Sequence, residues 1–259
     1  MKIAILGAGA FGSALGEILS DNGHQISYYD PLILSNTLKE VLDAAQYIVL
    51  AIPSRAIVDV LPSLPTDVPI VVATKGLLGN KIFKRFHDVM VISGPGFASD
   101  IKNHQTTYFT ITDQRLAELF DANYIHFDYT TDMKGVLMCG ALKNVYAMAA
   151  GWRGVVIDSI TGAQFAKEAL SEMADILRIN HANPDTVKLH CGLDDLKVTC
   201  KLPSRNFEFG TIIRDNPSYT NSKTVEGIEV IKRIRANEIK LPEKIPILSE
   251  LLARSREWV

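Results

Sequence analysis

The chain opens with KIAIL at residues 2–6 and runs straight into GAGAFG and FGSALGEILSDNG, where small and apolar residues recur at helical spacing. A G-x-G-x-x-G set placed between a strand and a helix constrains the fold more than any other feature of this sequence. Gly7 permits a sharp turn, Gly9 lets the backbone approach a pyrophosphate, and Gly12 lets helix and strand pack closely. The N–H groups of the helix start then face the anion. The alternative is a tight turn and nothing more. Asp30, eighteen residues after Gly12 at the end of QISYYD, favours the dinucleotide reading. A carboxylate there accepts hydrogen bonds from the adenosine ribose and repels a 2′-phosphate, so NAD is the expected cofactor and NADP the less favoured one.

Downstream of the loop, β-rich runs alternate with helical patterns, the sign of a parallel sheet covered by helices. Strands are expected near 2–6, 25–29, 47–52, 69–73, 89–93, 107–112 and 124–129. Runs such as YIVLAI and PIVVAT are apolar throughout, as strands buried on both faces are. After about residue 130 the period becomes helical, over 132–152, 161–180, 204–214, 222–237 and 244–256. The expected fold class is α/β, a doubly wound, mostly parallel N-terminal sheet (1–130) followed by an all-helical part (131–259), divided where composition changes near YTTD.

Net charge is −2, from 27 basic and 29 acidic side chains, so no chain-wide field exists to hold nucleic acid or an anionic membrane. Cys139, Cys191 and Cys200 form an odd set without a C-x-x-C pair, which favours free thiols. His190 and Cys191 with Cys200 match no common zinc spacing, and no metal is expected. A strand pattern begins at once, without a secretory signal, and a cytoplasmic location is expected. Residues 135–152 approach membrane-span length, but Lys143, Asn144 and glycines interrupt them, and the segment reads as a buried helix.

Lys143 is the only charged side chain between Lys134 and Arg153. With Val136, Gly140, Ala147 and Ala150 on its stripe, it projects among small residues, as though something approaches that face closely. An ammonium in such a place is costly unless it is paired or meets a ligand, and desolvation favours the neutral amine, which suits proton transfer. The other possibility is a lysine stem that snorkels to water. A second cluster follows in GLDDLKVTCKLPSRNFEFG. Ser204 reads as an N-cap, with Arg205 and Asn206 in the first turn. Arginine at a helix start makes sense if an anion is also present. Asp194 and Asp195 are either solvated loop acids or, in one case, the partner of a buried cation.

GAGAFGSALG, AIPS, ATKG, SGPGFA, GALKN, GLDDLKVTC, SRN and VEG, in that order along nearly the whole chain, resemble the NAD(P)-dependent glycerol-3-phosphate dehydrogenases. The resemblance implies an N-terminal Rossmann domain, a helical substrate-binding and catalytic domain, and reversible reduction of dihydroxyacetone phosphate to sn-glycerol 3-phosphate, feeding glycerophospholipid synthesis. It implies that Lys143 is the acid/base, that Asp195 holds its ammonium, and that Lys75 is a second substrate lysine. Asn144 and Thr199 then line the pocket with Gly94, Gly96 and Ser204 as further substrate contacts, and Arg205 and Asn206 clamp the phosphate. Cofactor contacts are implied at Gly7, Gly9, Ala10, Phe11, Gly12 and Asp30, and at Pro53, Lys75, Ala98, Arg205 and Glu226. The expected partners are a small phosphorylated substrate and, as an open option, a second copy of the chain in a homodimer.

Two departures stand out. Gly96 replaces the usual serine or threonine, removing a hydroxyl donor, and the segments after Asp30 and after ATKG are short. A dehydrogenase of another phosphorylated or carboxylated hydroxy compound therefore stays open, as does a non-catalytic nucleotide sensor. Retention of Lys75, Lys143, Asp195, Arg205 and Asn206 together speaks against the sensor, which has no use for a proton donor.

Overall fold

A computed structural model describes residues 1–33, 35–74, 84–216, 219 and 225–255. The chain divides into two compact units, Met1–Met133 and Lys134–Val259. Doubly apolar runs can hide both faces only inside a covered sheet, and the first unit is built that way. Its strands are β1 (Lys2–Leu6), β2 (Gln25–Tyr29), β3 (Tyr47–Leu50), β4 (Ile70–Val72), β5 (Val89–Ser93), β6 (Thr107–Ile111) and β7 (Ile125–Tyr129). They lie in the order β2-β1-β3-β4-β5-β6-β7. Neighbours are parallel except β5 and β6, where Ile92 faces Ile111 in an antiparallel pair.

Helices α1 (Ala10–Asp21), α2 (Leu38–Leu42), α3 (Ser54–Val60), α4 (Ala98–Lys102) and α5 (Arg115–Leu119) lie between the strands. Ile3, Ile5, Leu15, Ile18, Val49, Val71 and Phe109 share one buried cluster. From β1 the chain moves to β2 on one side and returns to β3 on the other. That reversal marks the carboxyl ends of β1 and β3 as the place where open α/β sheets take ligands, and the glycine loop leaves β1 there.

The second unit holds α6 (Met133–Arg153), α7 (Ile160–Ile179), α8 (Asp195–Thr199), α9 (Arg205–Asp215), α10 (Glu226–Arg235) and α11 (Pro246–Arg254). A 3-10 turn, Pro184–Lys188, and a π-helical turn, His190–Asp194, precede α8. Helix α6 is buried from Gly135 to Gly151, which fits a sequence that is apolar all round. Among the described residues no helix is long and apolar enough to cross a membrane.

Helix α9 packs backbone to backbone on α6. A Cβ on Gly151 would collide with Phe207 O, and one on Gly210 with Met148 O. The close approach expected from the Lys143 stripe therefore falls one residue round the helix, on the face of Asn144, Met148 and Gly151. Strands β1, β2 and β5 have the expected bounds, and β3, β4, β6 and β7 are one or two residues shorter than expected. Residues 222–224 and 256 of the expected helices lie outside the described residues, and the π turn and α8 were not anticipated.

Candidate active site

At the end of β1 the backbone turns through Gly7, whose φ of +108° is unfavourable for any residue with a Cβ. Its N–H donates to Tyr29 O at 2.8 Å, fastening the turn to β2. A Cβ on Gly12 would collide with Gly7 O, so helix and strand touch through bare backbone. Gly9 is different, because among the described residues a Cβ there would meet nothing within 4 Å. Their packing gives no reason for a glycine at that position, and the open space fits a pyrophosphate brought against the first turn of α1.

Asp30 also braces this loop, since its Oδ2 accepts from Ala8 N–H at 3.0 Å and its Oδ1 from Leu32 N–H at 3.1 Å. Each oxygen keeps a further lone pair for a ribose hydroxyl. Ala10 is exposed at the first position of α1, and Pro53 is exposed immediately before α3.

Gly94 and Gly96 lie against β6. A Cβ on Gly94 would stand 2.5 Å from Tyr108 O, and one on Gly96 would strike the Phe109 ring and lie 2.9 Å from Thr107 Cγ2. A hydroxyl-bearing side chain thus has no room at 96 as Phe109 is placed, which accounts for the glycine. Phe11 leans on the same ring, with centroids 6.5 Å apart, and Ala98 opens α4. Lys75 lies outside the described residues.

In the second unit, Lys143 is 1% exposed and its ammonium is paired with Asp195 Oδ2, on a residue with no exposure at all. The lysine does not snorkel. Thr199 Oγ donates to Asp195 O at 2.6 Å and lies 3.5 Å from Oδ1. Asp194 takes the opposite course, its Oδ2 accepting from His190 Nδ1 at 2.6 Å in a partly exposed pair. The two adjacent acids therefore divide the roles left open above.

Cys200 is buried nearby. Burial pushes its thiol well up, and the Lys143 charge acts in the opposite sense. Cys139, Cys191 and Cys200 are all buried free thiols.

A relay of amides flanks the lysine. Gly227 N–H donates to Asn206 Oδ1 at 2.9 Å, Asn206 Nδ2 to Asn144 Oδ1 at 2.9 Å, and Asn144 Nδ2 to Gly140 O at 3.1 Å. A backbone donor at one end and a backbone carbonyl at the other fix both amide orientations. Asn206 keeps one N–H beyond this relay. Ser204 caps α9, its hydroxyl accepting from Phe207 N–H at 3.5 Å. Arg205 is exposed at the first position of α9, beside N–H groups that helix geometry leaves without intrahelical partners. Glu226 opens α10 beside Gly227.

Sequence reasoning missed Glu172, which is 5% exposed. Its carboxylate accepts from Ile247 N–H (2.7 Å), Leu248 N–H (3.2 Å) and Tyr146 OH (3.0 Å). The group pins the start of α11 to α6, one turn beyond Lys143. Burial pushes its carboxyl up, opposed by these donors, and burial together with the Glu172 charge pushes the Tyr146 phenol well up. A signal existed, because Glu172 falls on the apolar stripe of Phe165, Ala169, Met173 and Ile176.

Residues 2–32 and 26–118 match the family model described as NAD-dependent glycerol-3-phosphate dehydrogenase N-terminus, and residues 132–254 match the corresponding C-terminus. The chain is 32% identical, over 249 residues, to a glycerol-3-phosphate dehydrogenase [NAD(P)+] of Leptospira biflexa, covering 77% of this chain and 75% of that one. The protein of the same name from Bacillus mycoides is 28% identical over a 308-residue alignment, covering 96% and 90%. The crystal structure of glycerol-3-phosphate dehydrogenase from Coxiella burnetii superposes with a TM-score of 0.79 at 23% identity, covering 99% of this chain and 97% of that one. At that identity the superposition speaks for the fold.

Proposed function

Because the chain belongs to the NAD-dependent glycerol-3-phosphate dehydrogenase family, we propose that it interconverts dihydroxyacetone phosphate and sn-glycerol 3-phosphate. The observation that carries this reading is the buried Lys143–Asp195 ion pair. An ammonium withdrawn from water and steered by one carboxylate is a proton donor with little freedom to wander. Lys143 gives its proton to the carbonyl oxygen during reduction and takes it back during oxidation. A bound nicotinamide dinucleotide supplies or accepts the hydride at the carbon.

Asp195 favours the charged form of the lysine and fixes its direction, and Thr199 holds the Asp195 turn. Arg205, the remaining Asn206 N–H and the free N–H groups of α9 take the phosphate, and Asn144 keeps Asn206 in place. Lys75, Gly94 and Gly96 complete the substrate's surroundings. The dinucleotide is held by Gly7, Gly9, Ala10, Phe11 and Gly12, with Pro53, Ala98, Lys75, Arg205 and Glu226 as further contacts. Asp30 favours NADH over NADPH, because its carboxylate stands at the end of β2 and repels a 2′-phosphate. The helical unit is then the substrate-binding and catalytic domain and the sheet unit the dinucleotide-binding domain. Reduction toward glycerophospholipid precursors is the physiological direction we favour.

The test is the consumption of NADH and of NADPH with dihydroxyacetone phosphate, beside a panel of other phosphorylated and carboxylated ketones. Fastest NADH oxidation with dihydroxyacetone phosphate is expected. Faster turnover of another ketone, or none with any, refutes the assignment.

A further inference from the structure

Asp195 is aimed at Lys143 by a piece of backbone that is not an ordinary helix. The segment His190–Asp194 is a single π-helical turn, and α8 begins at Asp195 directly after it. An isolated π turn is an uncommon conformation that recurs at functional sites. At this junction the two consecutive carboxylates part, Asp194 pairing with the partly exposed His190 and Asp195 with the buried Lys143.

Three features hold the turn. His190 Nδ1 donates to Asp194 Oδ2 at 2.6 Å, joining its two ends. Gly192 is pressed on the preceding 3-10 turn, where a Cβ would stand 2.6 Å from Val187 Cα and closer still to Val187 O. Leu189 O accepts from both Gly192 N–H (2.9 Å) and Leu193 N–H (3.1 Å).

We propose that the His190–Asp194 clasp and its π turn form a positioning device for the Asp195 carboxylate, making His190 and Asp194 positioning residues for proton transfer at Lys143. The inference rests on the proposed role of Lys143. Of the ionisable groups on the elements packed against the turn, Asp185 and Lys188 on the 3-10 turn pair with each other at 2.6 Å, Asp175 and Arg178 near the end of α7 pair with each other, α8 carries Lys197, and Lys143 and Cys200 are buried with Asp195. Releasing the clasp lets the turn relax toward a regular helix, swinging Asp195 off the ammonium. Misplacing a catalytic group by about 1 Å costs on the order of 100-fold in rate.

The experiment compares His190→Ala, His190→Asn and Lys143→Ala with the unaltered protein, by steady-state reduction of dihydroxyacetone phosphate across pH and by thermal unfolding. His190→Ala should lose about 10- to 100-fold in kcat, with KM for NADH and for the ketone within about twofold. The basic limb of its kcat profile should move to lower pH, because an ammonium with a looser carboxylate gives up its proton sooner. His190→Asn places an amide N–H near the Nδ1 position and should restore most of the rate.

A folded His190→Ala with unaltered kcat and basic limb overturns the proposal, as does equal damage in His190→Asn. If His190→Ala does not fold, Asp194→Ser releases the clasp from its other end and is judged by the same criteria. Lys143→Ala separates the two readings. Normal turnover in that variant removes the proton-donor assignment itself, whereas an inert Lys143→Ala beside a normal His190→Ala removes only the role of the turn.

Discussion

Replacing Lys143 by methionine leaves the Asp195 carboxylate buried without its ammonium, in a place where both side chains are about 1% exposed. The Thr199 hydroxyl is 3.5 Å from Oδ1, too far to stand in for a cation. Breaking a buried pair from one side costs about 3–5 kcal/mol, because the surviving charge keeps its desolvation penalty and loses its compensation. Lys143→Met should therefore lower unfolding free energy by about that amount, read from the urea midpoint at pH 7. The double variant Lys143→Met, Asp195→Asn carries no orphan charge and should recover most of the loss. Activity should follow a different pattern. Both variants lack the proposed proton donor, and kcat should fall about 10²- to 10⁴-fold in each, with NADH binding retained because the glycine loop is untouched. Two results refute the reasoning: a single variant as stable as the unaltered protein, or a double variant that turns over at the normal rate.

The glycine loop makes a paired prediction. Gly9→Ala meets nothing within 4 Å among the described residues and should leave the melting temperature unchanged while weakening NADH binding in a fluorescence titration. Gly12→Ala forces a methyl onto Gly7 O and should cost about 1–3 kcal/mol in unfolding free energy. Asp30→Ala should relax the preference for NADH over NADPH and free the Ala8 N–H; an undiminished preference, as the ratio of kcat/KM values, counts against the carboxylate. Glu172 supplies a pH dependence. Burial raises its carboxyl above the unfolded value, so the folded state holds that proton more tightly. Its stabilising contribution is complete below the ordinary carboxylate range and is lost as pH rises through the raised value. Glu172→Gln should flatten that part of the stability profile, and it should cost about 1–3 kcal/mol because its NH2 faces a donor. Urea midpoints across pH 4–8 check both.

Much of the molecule could be read along the chain because the signals are local. KIAIL, YIVLAI and PIVVAT are apolar on both pleat faces, and such runs have nowhere to go except a covered sheet. The glycine spacing fixes a turn whose geometry involves a few consecutive residues, and Ser204 caps its own helix. Lys143 announced itself by isolation, a single charge in an apolar helix that burial alone would penalise.

What the linear order cannot hold is direction and distance between segments. Asp194 and Asp195 are neighbours of the same chemistry, and only the packing of their segment shows which of them enters the interior. The amide relay joins residues 62 positions apart, and Glu172 reaches the start of a helix 75 positions away. Gly96 reads as a missing hydroxyl until Phe109 is found in its place. Composition and periodicity are properties of a segment, and they settle which elements form. The identity of the charge that faces a buried ammonium depends on how those elements pack, because desolvation and hydrogen bonding are decided by the atoms that surround a group, wherever in the chain they originate.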